Sequence, residues 1–470
     1  MTASTPLPAR SLLRRRGAAD AGRVEMVELF FDLVFVFAVT QLSHGLLADL
    51  TAQGALRTAL LLCAVWWVWI CTSWVTNWLD PGRTEVRVCL FVLMLLGLAL
   101  SASLPQAFGE RAWVFALAYV AMQLGRTAFF IWAVRHERAN LRRNFHRIAI
   151  WFSLSAVFWL LGSAVDGPAR LGSWALALGV ELLAPALYFH VPGLGRSSTA
   201  DWDVDGGHMA ERCALFVIIA LGESLLVTGA TFASQPWTAA TVGGYLAAFV
   251  SAVAMWWLYF DKGLAGGHHH IVHGGDPGRS ARLGYTYLHL PVVAGIIVCA
   301  VADELVLAHP DHASTATILA VLGGPALYLL GVGSFKWSTS GRAQPPLSHL
   351  VGLGLLAALA LTAMSHWLSA VGLAAASAAM LLVVAVWEHM SLRAAPASHR
   401  RHARSASRAQ ALGARPASGM PVPATAAGRS RRGAERRRRV ARARCSQVDL
   451  DSRRRASSSL SPASTTELAS

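Results

Sequence analysis

The sequence predicts an all-α polytopic membrane protein with about 12 transmembrane helices, built as two parallel six-helix repeats and ending in a disordered basic C-terminal tail. Three observations carry that expectation. Hydrophobic residues make up 54% of the 470-residue chain and charged residues only 14%, where soluble domains carry about a quarter. Apolar runs of about the 20 residues that cross a bilayer follow one another along the body. Several aromatic and turn motifs occur twice, in the same order.

Residues 1–24 form a basic, cytoplasmic N-terminus with Arg10, Arg14, Arg15, Arg16 and Arg23. No short apolar stretch with a cleavage site precedes residue 26, so the first run reads as a retained helix and not a signal peptide. The first repeat (25–191) holds runs near 26–49, 56–78, 86–107, 112–134, 146–165 and 173–191. A cytoplasmic linker (192–210) leads to the second repeat (211–391), with runs near 211–233, 239–260, 283–306, 314–335, 346–364 and 369–390. Residues 392–470 hold 18 arginines, no lysine and four acids, which is +14 of the chain's net +15. Their Arg, Ala, Ser and Pro bias predicts disorder, and no folded reader accompanies the arginines, so no specific nucleic-acid partner is expected.

The connections alternate in charge. On one side fall Arg83, Arg87, Arg135, Arg138, Arg142, Arg143, Arg147, Arg196, Lys262, Arg279, Arg282, Lys336 and Arg342. The other side has only Arg57, Arg111 and Arg170, and its stretch 303–313 carries Asp303, Glu304 and Asp311 without a base. The positive-inside rule then places both termini in the cytoplasm and makes the helix number even.

The repeat rests on motif order. Trp66-Trp67-Val68-Trp69 has a counterpart in Trp256-Trp257-Leu258-Tyr259, and Asp80-Pro81-Gly82-Arg83 in Asp276-Pro277-Gly278-Arg279. Phe129 and Trp132 match Phe335 and Trp337, and His146 matches His349. Six helices repeated in one orientation is a plan known from transporter folds.

Ionisable residues inside the spans are the candidates for function, because a charge at the bilayer centre costs at least about 2.5 kcal/mol on insertion scales. Glu28, Asp32, Thr40 and His44 recur at four-residue multiples, a polar line on one face of the first helix. Arg212 and Glu223 in the seventh are 11 residues apart, close to three full turns and hence on one face. Arg126 in the fourth and Glu181 in the sixth are also deep. By depth, Arg126 would reach Asp32, and Glu181 would lie level with Glu223. The same residues would equally serve to lock helices together as buried pairs.

Other motifs carry less. Asp201, Asp203, Asp205 and Gly206 open like a calcium loop, but its twelfth position is Arg212 where a bidentate glutamate is required. His268, His269, His270 and His273 lie in a glycine-rich loop that reads as solvated low-complexity sequence before it reads as a metal site. The cysteines form no CxxC and mostly lie in or beside apolar runs, so they read as buried thiols. No cofactor or metal is called for, and there is no P-loop, HExxH or GxSxG.

The run Val27-Glu28-Leu29-Phe30-Phe31-Asp32-Leu33-Val34-Phe35-Val36-Phe37-Ala38, followed by Thr40-Gln41 and His44, resembles the opening signature of the bacterial low temperature requirement A (LtrA) family. His208-Met209-Ala210-Glu211-Arg212 and the following Leu215 to Ser224, which contains Leu221-Gly222-Glu223, are similar to that family's second signature. The resemblance covers roughly 23–391 and implies a bacterial multi-pass inner-membrane protein, with Glu28, Asp32, His44, Glu211, Arg212 and Glu223 at motif positions.

The expected function is a secondary transporter or proton- or ion-translocating protein whose partners are the lipid bilayer and a small ion or small molecule. Asp32 and Glu223, then Glu28, His44 and Glu181, are the expected ion- or substrate-binding groups. Arg126, Arg212, Glu211 and His208 are the expected counter-charges. The alternative is a non-transporting structural or cold-adaptation membrane protein. An enzyme is not expected, since His208 with Glu211 is too small a set for catalysis; oligomeric state is left unspecified.

Overall fold

A computed structural model describes residues 11–14, 23–137, 139–198, 204–261, 282–340, 344–363 and 367–413, with side chains as far as residue 391. The histidine loop, the second Asp-Pro-Gly-Arg motif, Asp201, Asp203 and the tail beyond 413 lie outside the described residues. The chain divides into two compact units, Met1–Pro396 and Ala397–Ser470, and the sites considered below belong to the first.

Twelve α-helices are described: α1 (Met26–Ala48), α2 (Ala52–Trp78), α3 (Thr84–Ser103), α4 (Ala112–Ala133), α5 (Ala139–Ser163), α6 (Gly167–Leu183), α7 (Gly206–Ser234), α8 (Ala239–Phe260), α9 (Leu290–Ala308), α10 (Thr315–Ser340), α11 (Leu347–Ala363) and α12 (Ala370–Gly413). Ten are long and apolar enough to cross a membrane, α9 together with the π-helical turn Arg282–Tyr287 that leads into it. α6 and α11 have 17 residues each and are shorter. Each predicted run falls on a helix. The sixth was expected to reach 191, but α6 stops at Leu183 and the chain turns through Pro185. Proline has no amide hydrogen to continue the ladder and disfavours helix at the residue before it.

Short polar residues start the helices. The Thr51 hydroxyl accepts from Gly54 N at 3.1 Å. Asp205 accepts from Gly207 N and His208 N at 2.9 and 3.1 Å, and Thr238 with Thr241 forms a capping box on α8. Each satisfies backbone donors that the first turn leaves open.

The polarity is inside-out relative to a soluble protein. Phe30, Leu33 and Phe37 of α1, Phe91 and Leu95 of α3, and Val383 and Val386 of α12 are exposed, while Glu28, Asp32, Arg126, Glu181, His208 and Arg212 are buried. An apolar exterior around a charged interior suits hydrocarbon as solvent.

Helix neighbours recur between the halves. α1 packs on α2 and α3, α4 on α2, α3 and α5; likewise α7 packs on α8 and α9, α10 on α8, α9 and α11. The halves meet where α1 packs on α7 and α9. The closest approach is between α9 and α10, where a Cβ at Gly295 would lie 2.6 Å from the backbone nitrogen of Tyr328, and one at Gly324 2.8 Å from that of Cys299. Small residues let transmembrane backbones touch in this way.

This contact separates two identical substitutions. Gly295→Ala should lower the melting temperature of the detergent-solubilised protein, because neither backbone can yield without parting the helices; overpacking costs about 1–3 kcal/mol. Gly323→Ala, whose Cβ would meet nothing within 4 Å, should leave it unchanged or raise it. Equal melting of the two variants would contradict the contact.

Candidate functional site

The polar line of α1 meets α7 in two layers. The inner layer is a buried charge network, in which Asp32 Oδ2 and Arg212 Nε and Nη1 have no hydrogen-bond partner among the described residues. Arg212 Nη2 donates to Asp32 Oδ1 at 2.7 Å and to Ser73 Oγ at 3.2 Å, and Trp69 Nε1 donates to the same Asp32 oxygen at 2.7 Å. Arg212 Nη1 lies 3.7 Å from Glu28 Oε1. His208 Nε2 is 2.9 Å from Glu28 Oε1, and its Nδ1 is 3.3 Å from Asn77 Nδ2. One tautomer serves both contacts, with Nε2–H donating to the carboxylate and Nδ1 accepting from the amide. Arg14 closes the layer from below, its Nη2 donating to Glu28 Oε2 at 2.6 Å and its Nε to the carbonyls of Thr76 and Leu79.

Two carboxylates thus face two guanidiniums, and Glu28, Asp32, His208 and Arg212 have essentially no exposure. The Arg212 guanidinium also lies 5.6 Å from the Trp69 ring centroid, a cation–π contact. Glu211 sits just outside, accepting from Val24 N at 3.1 Å and so fastening the N-terminal segment.

The outer layer lies about 12 Å further along α1, eight residues at the helical rise. Thr40 donates to Glu223. On the adjoining α9, Asp303 accepts from Thr228 of α7 at 3.1 Å, and Glu304 lies near His44 of α1. Glu223, Asp303 and Glu304 are half-buried and His44 is exposed. Among the described residues no lysine or arginine lies within ion-pair distance of these three carboxylates. His44 also lines a recess of about 610 Å³, with Gln41, Asp49 and Arg57 on its walls. Between the layers, Phe35, Val39, Val217 and Ala220 are buried and apolar.

Two expected pairings are corrected. Arg126 does not reach Asp32. It donates to Val68 O at 3.2 Å, to Thr72 Oγ1 at 3.0 Å and to Gln123 Oε1, while Arg212 takes Asp32. Glu181 does not join Glu223. It accepts from Gln123, Tyr119, Ser155 and Trp159 at 2.6–3.1 Å, entirely within the first half, and its four bonds saturate it.

Other groups escaped sequence reasoning. Asp303 and Glu304 fall both in the ninth predicted run (283–306) and in the outer stretch 303–313, and the structure places them in α9; Lys336, assigned to an inner connection, is buried in α10. Lys336 Nζ donates to Leu258 O and to Glu388 Oε1, both at 2.6 Å, and His349 Nε2 stands 3.9 Å from Glu388 Oε2. Arg147, counted with a connection although the fifth run (146–165) covers it, is buried in α5 and bonds Leu194 O. The signal missed was their position at the ends of apolar runs, where hydropathy cannot separate the last helical turn from the loop.

The inner layer makes a prediction of its own. Removing one member of a buried pair leaves the other uncompensated and costs about 3–5 kcal/mol. Asp32→Asn and Arg212→Gln should therefore each lower thermal stability strongly, and the double variant should be more stable than the sum of the two losses. Strict additivity in the cycle would mean that the two groups do not interact.

The family model for the bacterial low temperature requirement A protein (LtrA) matches residues 23–386. An uncharacterized protein of Rhizobium meliloti (strain 1021) is 40% identical over 380 residues, covering 81% of this chain and 92% of its own length. No solved structure matches the chain.

Proposed function

The chain belongs to the bacterial low temperature requirement A family, and we propose that it is a secondary transporter or ion-translocating protein of the bacterial inner membrane, passing a proton or small cation along the α1–α7–α9 interface. Glu223 is the binding carboxylate, Asp303 and Glu304 attract the cation, and His44 receives it from the outer recess. Asp32 is the second carboxylate of the path, with Arg212 as its counter-charge. The observation that carries the reading is Glu223 itself: a half-buried carboxylate inside a span, held by a threonine hydroxyl and, among the described residues, by no cation. A carboxylate inside a span marks an ion pathway by default when no cationic side chain is held against it, which is the property a carrier needs.

Two parallel six-helix repeats, with both termini in the cytoplasm, are part of the same proposal. The recurring neighbours support them, and so does one pair of contacts. In the first half a cation of the fourth helix, Arg126, caps Val68 O, the third residue of Trp66-Trp67-Val68-Trp69. In the second half Lys336 of α10 caps Leu258 O, the third residue of Trp256-Trp257-Leu258-Tyr259. Each cation is tied to a glutamate of the last helix of its half, Arg126 to Glu181 through Gln123 and Lys336 to Glu388 directly. The charge bias of the connections supports the orientation even with Arg147 and Lys336 withdrawn from it.

One observation favours the non-transporting alternative. The inner layer is sealed and charge-balanced, as in a pair that locks helices together. Flux in proteoliposomes separates the two readings. Under an imposed pH or cation gradient the intact protein should conduct, and Glu223→Gln should reduce flux at least tenfold with unchanged melting temperature. Asp32→Asn should reduce flux as well as stability. Absence of flux in the intact protein across proton, sodium and potassium gradients would leave the structural reading.

A further inference from the structure

A second cavity, separate from the α1–α7–α9 path, is lined by the first half and by the π-helical turn of the second. It lies between α2, α4, α5, the turn after α6 and the π-helical turn before α9, and offers about 90 Å³ to the centres of water-sized bodies, several times the ~10–15 Å³ that one water needs. Trp67, Trp74, Trp78, Phe145, Phe152 and Phe189 supply aromatic walls. Two guanidiniums, Arg126 and Arg282, also line it, and among the described residues no carboxylate does.

The polar groups of this cavity are incompletely used. Arg126 is buried, and its Nε–H has no partner; the same holds for the indole N–H of Trp67. Arg126 is bonded only to neutral acceptors, and the nearest carboxylate, Glu181, is reached through Gln123 and already accepts four bonds. Arg282 is anchored to Pro185 O at 2.7 Å with its charge over the Tyr188 ring. The wall between them is built from Tyr188 and Phe189, both in the left-handed region at φ 53° and 48°. Bulky side chains rarely adopt that conformation, and where they do it is held in place by the surroundings.

We infer that this cavity binds a compact organic monocarboxylate with an apolar or aromatic body, its carboxylate on the free edge of Arg126 and its body between the tryptophans. A cation would meet two guanidiniums, and a neutral apolar molecule would leave the two orphaned donors unpaired. A carboxylate accepts from both and offsets the excess positive charge. The inference does not depend on ion movement past Glu223.

Full-length protein in phosphatidylcholine nanodiscs would be titrated with phenylacetate and octanoate, and with phenylacetamide and octanamide as uncharged counterparts, following heat and tryptophan emission. The expected result is saturable binding of one carboxylate per chain, at least tenfold tighter than its amide. Preference for phenylacetate would assign the ligand to the soluble pool; preference for octanoate would assign it to the membrane. Arg126→Gln should weaken the carboxylate at least tenfold and leave the amide unchanged. Trp67→Phe, which keeps an aromatic wall and deletes the N–H, should weaken it by a smaller factor. Equal affinity for acid and amide, or no saturable binding of either acid, would overturn the proposal without reference to the variants.

Discussion

Asp32 and Arg212 meet at 2.7 Å in a place that water does not reach, and the junction of the two halves is organised around that contact. Neither group is affordable alone in hydrocarbon, and each is supplied by a different half of the chain. Glu28 extends the pair to Arg14 and His208, so that the N-terminal segment, α1, α2 and α7 are joined through one electroneutral cluster. Leu12 and Leu13 are buried beside it, and Leu13 bridges to Leu79. What the composition suggests is only a basic leader therefore includes a structural strap.

The outer layer has the opposite character. Three carboxylates and an exposed histidine lie on α1, α7 and α9, and among the described residues no arginine or lysine lies within ion-pair distance of the carboxylates. The contrast between a neutralised inner layer and an acidic outer one, separated by buried apolar residues, is what distinguishes this interface from a simple helix lock. Polar side chains on the two lateral networks, Arg126 with Glu181 and Lys336 with Glu388, instead hold each half together internally.

Much of the architecture was legible in the sequence. Twelve apolar runs correspond to twelve helices, because in a bilayer hydropathy and helix are nearly the same signal. The four-residue spacing of Glu28, Asp32, Thr40 and His44 located the interface, since a helix of known pitch fixes which residues share a face. The partners were not legible. Depth alone made Arg126 as good a match for Asp32 as Arg212, and only the packing of α1 against α7 decides between them. Trp69 stood out only as part of the repeated aromatic motif and Gln123 not at all, because an indole N–H or an amide is recognised as a partner only once its neighbour is known. Lys336 was misplaced, and Asp303 and Glu304 were counted in both a run and a connection, for the reason that hides α6's early end: run boundaries are soft, and one helical turn separates a loop charge from a buried one.

The distance in sequence between Asp32 and Arg212 has a consequence for how the protein is made. The two are 180 residues apart, and at about 5–20 residues per second roughly 10–35 s of synthesis separate their appearance. During that interval α1 is complete, carries two acids and lacks its arginine from α7. It can wait with those acids protonated, or in the shelter of the insertion machinery, but not as a charged helix free in lipid. Assembly of the first half is therefore provisional, and the arrival of α7 is the event that commits α1 to its place.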